Sequence, residues 1–342
     1  MIIKQSELVK ICRVASALSG PHGSLSIESD GRTTRFRAGF RQGYFIKSTE
    51  SADFTGGASV EIKALTNMIR PLNGDLDFTL IDQAIQIRFM SGLELRGTTS
   101  DDFIPDVDMR VDDIGIEIPA SSIYMMIKQL LPTVYECDDR PGIAQIHISN
   151  GTGYATDGCE LATAPVQCNS TFDIPRDLAK ALAIIARDLW NTPMLVSIGA
   201  HEISISVDGW SLFAKIDEDF PDVSQIVETK PSARAAVSTA DLLSGIKMCE
   251  AIDRVVSAEY NSVLESVYLR VENAAGEHGY VRLHASVDVA PRTLGAATLS
   301  AERLRKALDC KSRHTILEFF GKGKEVRVIS GSKNSTIAQS KK

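Results

Sequence analysis

The chain has 342 residues, which is too long for one ordinary core and predicts two or three domains. Hydrophobic residues make up 44% and charged residues 24%, a composition typical of soluble globular proteins, and no apolar run approaches the roughly 20 residues of a membrane span. The first residues lack a signal-peptide pattern, so we expect a cytoplasmic protein without a membrane partner. The net charge of −7 means that any nucleic-acid partner must meet a locally basic face.

The six cysteines are scattered and form neither a CxxC pair nor a cluster with histidine. This distribution is typical of reduced thiols in the cytosol and predicts neither disulfides nor a zinc site. The six histidines likewise show no HxH or HxxxH spacing. We therefore expect no metal and no cofactor.

Six amphipathic segments predict six helices. They start, in chain order, near Ser6, Ile62, Ser121, Pro175, Ser238 and Ser300, at intervals of 54 to 63 residues. Serine is a good N-cap residue, so Ser6, Ser238 and Ser300 are predicted caps, and Pro175 suits a first helical turn.

Short runs of alternating hydrophobic and polar residues fill the intervals between these helices. Examples are "GIEIPA", "PMLVSIG", "SVYLRVE", "YVRLHASVDV" and "EVRVIS". Gly209 lies in a turn between two such runs, and Gly92 lies at the corresponding place earlier in the chain. These runs predict β-strands joined by tight turns, many of them hairpins.

A longer repeat is superimposed on this period. The phrase "DDFIPDV" with Phe103 returns as "EDFPDV" with Phe220, 117 residues later, and the preceding helix and hairpin repeat at nearly the same offset. Phe is expected to anchor the end of a strand, and Pro to stop its pairing as the chain leaves a domain. The repeat predicts an α+β fold of three tandem domains, residues 1–113, 114–230 and 231–342, each a duplicated unit of one helix and several strands.

Each predicted helix carries at least one cation on the face opposite its apolar stripe. One such cation is ordinary on a solvated helix, but recurrence in six helices of an acidic chain predicts one shared basic surface. A basic surface without base-reading motifs suits the phosphate backbone of duplex DNA, bound without sequence preference. The predicted DNA-facing residues are Lys10, Arg13, Lys63, Arg70, Lys128, Arg176, Lys180, Arg187, Lys247, Arg303 and Lys306.

The segment "GYATDGCELATAPV", residues 153–166, resembles the ATDG-x-x-LA segment of the bacterial DNA polymerase III beta subunit, the processivity sliding clamp. The stretches "DIPRDLAKAL", "FAKIDEDFPDVSQIV" and "TADLLSGIKMCEAI" are similar to that family in order and spacing. The resemblance implies a DNA-clamp fold in which helices line a central channel and the sheets lie outside. It also implies a ring-shaped homodimer, formed head to tail, that encircles duplex DNA and acts as a processivity factor rather than an enzyme.

The resemblance further implies an apolar pocket between the central and C-terminal domains. This pocket would take short peptides from a replicative polymerase subunit, the clamp loader and other proteins with clamp-binding peptides. The residues carried over to it are Ile143, Thr156, Gly158, Cys159, Leu161, Pro221, Ile226 and Leu264. Ile252, at the end of "KMCEAI", is carried over to the dimer interface.

The chain departs from the family pattern at two places. Cys159 and Glu160 stand where the family commonly has His and Arg, and the chain ends "STIAQSKK" in place of an apolar tail. We interpret these departures as a changed peptide preference. They suggest the hypothesis of a clamp that serves its own polymerase set, as on a phage or mobile element.

Two alternatives stay open on the residues alone. Asp138 and Asp139 beside Arg140 form the one carboxylate pair that suggests a metal-dependent nucleic-acid enzyme, although adjacent turn residues usually point apart. "GKGKEV" lacks the P-loop pattern and predicts a hairpin turn. The other alternative is a repeat scaffold that binds peptides but not DNA.

Overall fold

The structure is a computed structural model that describes residues 2–40, 43–50, 55–81, 84–89, 94–97, 115–137, 139–199, 201–261, 264–287, 295–308, 311–320 and 324–338. The chain divides into two compact units that alternate along the sequence. The first comprises Met1–Lys128, Ile148–Gly151 and Val166–Asp219, and the second Gln129–His147, Thr152–Pro165 and Phe220–Lys342. The three domains stay a prediction, and the first FPDV phrase and Gly92 lie outside the described residues.

All six predicted helices are confirmed. In chain order the α-helices are α1 Gln5–Ser19, α2 Ile62–Ile69, α3 Ala120–Leu130, α4 Arg176–Ala186, α5 Ser224–Glu228, α6 Thr239–Glu250 and α7 Ala301–Lys306. The short α5 was not predicted, nor were two 3-10 turns at Leu131–Thr133 and Pro141–Ile143.

The predicted caps are right for two of the three serines. Ser238 Oγ accepts a hydrogen bond from the backbone N–H of Asp241, and Ser300 Oγ accepts one from that of Arg303. The prediction for Ser6 is wrong, because a short strand runs directly into α1 and places Lys4 at the N-cap. The backbone N–H of Gln5 donates to the carbonyl of Gly74, which fixes the start of the helix before Ser6.

The first unit is built on two antiparallel sheets. Its strands are β1 Ile2–Lys4, β2 Ser24–Asp30, β3 Thr33–Phe40, β4 Gly43–Glu50, β5 Thr55–Glu61, β6 Asp75–Ile81, β7 Ala84–Phe89, β8 Glu94–Gly97 and β9 Gly115–Pro119. After β10 Gln145–Ser149, β11 Thr152–Thr156 and β12 Glu160–Pro165, the unit continues with β13 Phe172–Pro175, β14 Pro193–Ile198, β15 Glu202–Val207 and β16 Trp210–Lys215. One sheet has the order β1-β6-β7-β8 and the other β5-β2-β3-β4-β16-β15-β14-β9.

The pairing of β4 with β16 joins strands that lie far apart in sequence. Phe213 faces Tyr44 in this register, and their rings stack with centroids 4.8 Å apart. A Cβ atom on Gly43 would lie 1.8 Å from the Phe213 carbonyl oxygen, so the close approach requires glycine. The hairpin predicted at Gly209 is confirmed, with Asp208 and Gly209 both at positive φ between β15 and β16.

Helix α1 packs against α4 within the first unit. The buried side chains of these helices include Leu8 and Ile11 on α1 and Leu182 and Ile185 on α4, on the apolar faces that the sequence pattern predicts. Burial of these side chains contributes roughly 1.5–3 kcal/mol each to stability. Burial also raises the pKa of the neighbouring Cys12 thiol to about 12, which keeps it an unreactive part of the core.

The second unit is also a helix-on-sheet arrangement. Its later strands are β17 Ala233–Ser238, β18 Val255–Asn261, β19 Ser266–Glu272, β20 His278–Val287, β21 Gly295–Ser300, β22 His314–Phe319, β23 Val326–Ser330 and β24 Lys333–Ile337. The strand order from β11 is β11-β12-β24-β23-β22-β17-β20-β19-β18-β21. Leu242 and Ile246 of α6 and Leu304 of α7 belong to the buried core over this sheet.

Among the described residues, no helix is both long and apolar enough to cross a membrane. The described cysteines Cys12, Cys137, Cys159, Cys168 and Cys249 are all free, as predicted.

Candidate functional site

A cavity in the second unit collects most of the residues predicted for the peptide pocket. It is lined by Thr156, Gly158, Cys159, Glu160, Leu161, Ile226, Thr229, Lys324, Glu325, Thr336 and Ala338. Five of the eight predicted residues are therefore among its lining: Thr156, Gly158, Cys159, Leu161 and Ile226.

The other three predicted residues lie elsewhere. Ile143 sits behind the lining, with its Cδ1 3.9 Å from where a Cβ of Gly158 would be. Pro221 is exposed just before α5. Leu264 is 46% exposed and lines a different cavity, on the outer face of β18, β19 and β20.

The register of β12 with β24 explains the lining residues that sequence reasoning missed. Leu161 faces Thr336 across the two strands, and the backbone N–H of Ala338 donates to the Cys159 carbonyl over 2.8 Å. This pairing brings the end of the chain beside the ATDG segment. No local signal in the sequence predicts it, because the two strands are separated by about half of the chain.

Arg327 fixes the apolar side of the cavity. Its guanidinium donates to the carbonyls of Ile226 and Val227 over 2.8 and 3.1 Å, and lies 4.9 Å from the centroid of the Phe320 ring. It also pairs with the buried Glu318 over 3.2 Å. Helix α5 has no buried residue of its own, so these contacts hold Ile226 at the cavity with 43% of its surface exposed.

One lining residue, Glu160, belongs to a buried ion pair. Glu160 Oε1 lies 3.9 Å from Lys333 Nζ, and both side chains are almost fully buried. Burial raises the pKa of Glu160, an effect that Lys333 only partly offsets. Burial lowers the pKa of Lys333 in the same way, against the attraction of Glu160.

The second copy of the FPDV phrase contacts strand β10 through Phe220. The ring of Phe220 stacks on His147, with centroids 5.3 Å apart and planes 9° from parallel. Phe220 is only half-buried, so its ring packs on His147 and does not belong to the buried core in which the sequence predicted it to be anchored.

The eleven predicted DNA-facing cations fall into two groups. Five are exposed and have no ion pair within the described part of the chain: Arg13, Lys63, Arg70, Lys128 and Lys247. The other six are paired with carboxylates. The pairs are Lys10–Asp188 at 3.1 Å, Arg176–Asp177 at 3.4 Å, Lys180–Asp177 at 2.9 Å, Arg187–Asp188 at 3.1 Å, Arg303–Asp157 at 2.6 Å and Lys306–Glu302 at 2.9 Å.

Asp188 shows how these pairs act. Partial burial opposes its ionisation, but hydrogen bonds from Arg187 and Lys10 outweigh burial and lower the pKa of Asp188. Lys10 also donates to the Ile185 carbonyl near the end of α4 over 3.4 Å. Lys10 therefore links α1 to α4, and Asp188 partly neutralises its charge.

Ile252, predicted at the dimer interface, is half-buried against the core of the second unit. A Cβ on Gly279 would lie 2.9 Å from its Cδ1, so Ile252 lies directly against β20. β20 pairs with β19 over residues 278–284, but with β17 only over residues 285–287. Among the described strands, one edge of the first seven residues of β20 is therefore unpaired.

Of the two carboxylates predicted for a metal-dependent enzyme, Asp138 lies outside the described residues. Asp139 and Arg140 are both exposed. Within the residues that the structure describes, no group of three or more His, Cys, Asp or Glu side chains is arranged to hold a metal ion.

Comparison with known proteins identifies the fold as that of DNA polymerase sliding clamps. The DNA polymerase III beta subunit of Thermotoga maritima matches with a TM-score of 0.87 at 13% identity, over 100% of this chain and 99% of the other. The sliding clamp of Bartonella birtlesii, solved bound to griselimycin, matches with a TM-score of 0.85 at 14% identity over 100% and 99%. The beta subunit of Pseudomonas aeruginosa matches with a TM-score of 0.83 at 12% identity over 100% of both chains.

No protein-family model matches the chain, and no curated protein sequence is significantly similar to it. The resemblance to the DNA polymerase III beta subunit, predicted from short motifs, is thus confirmed at the level of the fold. The α+β clamp architecture is confirmed with it.

Proposed function

We propose that this chain is a DNA polymerase processivity factor, a sliding clamp that acts on duplex DNA in the cytoplasm without catalysing a reaction. The observation that carries the proposal is the agreement of the whole chain with solved sliding clamps at only 12–13% sequence identity. A chain that keeps this fold over its whole length after its sequence has diverged so far is best explained by retention of the clamp's function.

The distribution of positive charge supports DNA as the partner. Five exposed cations without ion pairs in the described residues occur on α1, α2, α3 and α6 or at their ends, in a chain of net charge −7. Diffuse attraction between such cations and phosphates is independent of base sequence, and it allows the protein to slide. The six paired cations would contribute less, because each already has a carboxylate partner.

The salt dependence of DNA binding tests this part of the proposal. In the variant R13Q/K63Q/R70Q we expect the log–log slope of affinity against salt to decrease by about 2 to 3, since each lost phosphate contact removes about 0.9. The control R32Q/K215Q/K230Q removes three exposed cations that lie outside the helices. Equal slopes in the two variants would assign DNA binding to overall charge and exclude the helix surface as the DNA-facing side.

We propose that the cavity beside α5 takes short peptides of the replicative polymerase subunit, the clamp loader and other DNA-bound proteins. Leu161, Ile226 and Ala338 supply apolar surface, and Lys324 and Glu325 supply charge at its margin. Such a mixture of apolar walls and few polar groups is typical of binding sites. Cys159 and Glu160 give this site a peptide preference different from clamps with His and Arg at these positions.

Ile226 offers a specific test of the peptide site, because its exposure allows truncation without loss of core packing. I226A should weaken binding of a fluorescein-labelled synthetic bacterial clamp-binding peptide by roughly tenfold, the effect of losing most of one buried side chain. Val227 is similarly exposed on the same helix but does not line the cavity, so V227A is the matched control. If both variants bind as the unchanged protein does, the cavity is not the peptide site.

We propose further that two copies form a head-to-tail ring through the unpaired edge of β20. An open strand edge is a ready template for pairing with another chain, and Ile252 lies against the same strand. The first domain of the partner copy would supply the complementary edge. This arrangement requires no cofactor.

A further inference from the structure

The ATDG segment at the cavity is a tight loop that its own side chains hold in shape. We call residues 156–161 the rim loop. Asp157 Oδ1 accepts hydrogen bonds from the backbone N–H groups of Cys159 and Glu160, over 2.8 and 2.7 Å. Thr156 Oγ1 donates to the Glu160 carbonyl over 2.7 Å and accepts from the Gly158 N–H over 3.0 Å. Gly158 has φ +86, which permits the reversal between them.

The same Asp157 carboxylate binds a residue that the sequence assigns to the DNA-facing surface. Arg303, on α7, directs its Nη1 to both oxygens of Asp157, at 2.8 Å and 2.6 Å. Both side chains are less than a third exposed. A charge-assisted contact of this length is among the stronger polar interactions in proteins.

The electrostatics of Arg303 agree with this geometry. Burial disfavours the charged guanidinium, but the hydrogen bond and the charge of Asp157 outweigh burial and raise the pKa of Arg303. Arg303 therefore stays charged and stays engaged with the loop. Its neighbour Arg305 pairs instead with Glu250, over 3.3 Å, away from the cavity residues.

A second contact joins α7 to the rim loop. Lys333 Nζ donates to the carbonyl of Lys306, the last residue of α7, over 3.0 Å, and lies 3.9 Å from Glu160 Oε1. Asp157 is thus linked to α7 through Arg303, and Glu160 is linked to it through Lys333.

We propose that Arg303 is a positioning residue of the peptide cavity and not a DNA contact. It holds the Asp157 carboxylate in the orientation that accepts the Cys159 and Glu160 N–H groups, and so keeps the rim loop in the shape that lines the cavity. Without Arg303, the partly buried carboxylate loses its counter-charge and turns toward water, which releases both N–H groups. The assignment to the peptide cavity depends on the function proposed above.

Hydrogen exchange of the Cys159 and Glu160 amides tests the positioning role without a ligand. In R303Q we expect these two amides to exchange on the order of tenfold faster, the effect of losing about one charge-assisted hydrogen bond. R303K should restore part of the protection, because it keeps the charge but not the planar geometry. R305Q is the matched control on the same helix and should leave both amides unchanged.

The amide of Val256, in the core of the same unit, separates a local effect from general loosening. Its exchange should be the same in all variants. Unchanged exchange of Cys159 and Glu160 in R303Q, or equal acceleration of Val256, would overturn the proposal. D157N should accelerate the same two amides, and the double variant D157N/R303Q should add little to either single change, since both remove one interaction.

Two binding measurements complete the test. R303Q should bind a fluorescein-labelled synthetic bacterial clamp-binding peptide roughly tenfold more weakly than the unchanged protein and R305Q do, by the loss of one charge-assisted contact. Its log–log slope of DNA affinity against salt should equal that of the unchanged protein. A slope reduced by about one phosphate contact, with peptide affinity unchanged, would return Arg303 to the DNA-facing surface.

Failure of the proposed function gives a different result. If the unchanged protein does not bind the peptide, the peptide assignment of the cavity is wrong, and the exchange rates alone decide whether Arg303 positions the rim loop.

Discussion

The ammonium group of Lys47, on β4, lies 5.5 Å from the centroid of the Trp210 ring, on β16, and the two residues face each other in the register of these strands. Lys47 Nζ also donates to the carbonyl of Asp208 over 2.7 Å, in the turn that precedes Trp210. Only 8% of Lys47 is exposed. Lys47 thus adds two side-chain contacts to a strand pair whose members lie about 160 residues apart in the chain.

Replacing Lys47 with methionine keeps the apolar stem but removes the charge and the hydrogen bond. We expect the free energy of unfolding of the first unit to fall by about 1–2 kcal/mol, since a net hydrogen bond and a shielded cation–π contact contribute about that much together. Denaturant unfolding followed by tryptophan fluorescence measures the change. K215M, at an exposed lysine of β16, should stay within about 0.5 kcal/mol of the unchanged protein. Equal effects of the two substitutions would show that the contacts of Lys47 with Trp210 and Asp208 together are not stabilising.

The same strand pair makes a steric prediction at Gly43. In G43A the new methyl group would meet the Phe213 carbonyl at 1.8 Å, so β4 and β16 must move apart. We expect a loss of about 1–3 kcal/mol, the usual cost of inserting a methyl group into packed structure.

Gly199 supplies the control for this substitution. A Cβ there would make only ordinary contacts with Glu202, the nearest atom being 3.6 Å away. G199A should therefore leave the unfolding transition nearly unchanged. An equally small effect of G43A would mean that β4 and β16 do not pair closely.

The buried pair of Glu160 and Lys333 predicts strong dependence between two substitutions. K333M alone should cost about 3–5 kcal/mol, because it leaves the Glu160 carboxylate buried without a counter-charge. The double variant E160Q/K333M should recover most of this loss, since removing both charges removes the desolvation cost as well. Denaturant unfolding of the unchanged protein, E160Q, K333M and the double variant completes the cycle. Simple addition of the E160Q and K333M effects would contradict the pairing.

The pH dependence of stability follows from the same pair. Because burial raises the pKa of Glu160, the folded state holds its proton more tightly, and this residue's contribution falls as the pH rises from about 4.5 through the folded pKa. The pKa of Lys333 is lowered, so its contribution increases as the pH rises through the folded pKa toward 10.5. E160Q should remove the acid-side change only, which urea unfolding at a series of pH values can measure. An unchanged acid-side slope in E160Q would contradict the raised pKa.

Tyr280 tests the proposed association of two copies. It is 72% exposed on β20, beside the unpaired edge and one residue from Gly279, against which Ile252 lies. Y280D should shift the dimer toward monomer by at least tenfold in dissociation constant, because a charge would be buried at the interface. Sedimentation equilibrium measures this, and K247D, on the helix surface, is a control that should leave association unchanged. A dimer of equal strength in Y280D would place the interface elsewhere.

Local sequence pattern predicted much of the fold. The helical period predicted six of the seven α-helices of the described residues, and Ser238 and Ser300 cap theirs as expected, because amphipathicity and capping act within a few residues. The hairpin turn at Gly209 was also predicted correctly from the local pattern. Ser6 failed as a cap because a distant contact of Gln5 with Gly74 fixes the helix start, which no local rule captures.

Long-range pairing could not be predicted. The alternating pattern of β12 or β24 shows that each is a strand, but not that Leu161 faces Thr336, since register depends on the packing of the whole sheet. The cavity residues contributed by the chain's end were missed for that reason. Arg303 shows the same limit for charge: its position on the helix was predicted correctly, but its partner Asp157 is 146 residues away.

We propose that a ring of two copies encloses duplex DNA, and topological trapping distinguishes such a ring from a protein that binds DNA only by surface charge. The protein is incubated with linear duplex DNA, both ends are then blocked with biotin and streptavidin, and the mixture is passed over a sizing column at 0.5 M salt, where diffuse phosphate contacts are screened. We expect the protein to stay with end-blocked DNA and to be released when a nuclease cuts between the blocks. Loss from the blocked DNA at this salt, or retention after cutting, would contradict a ring around the duplex.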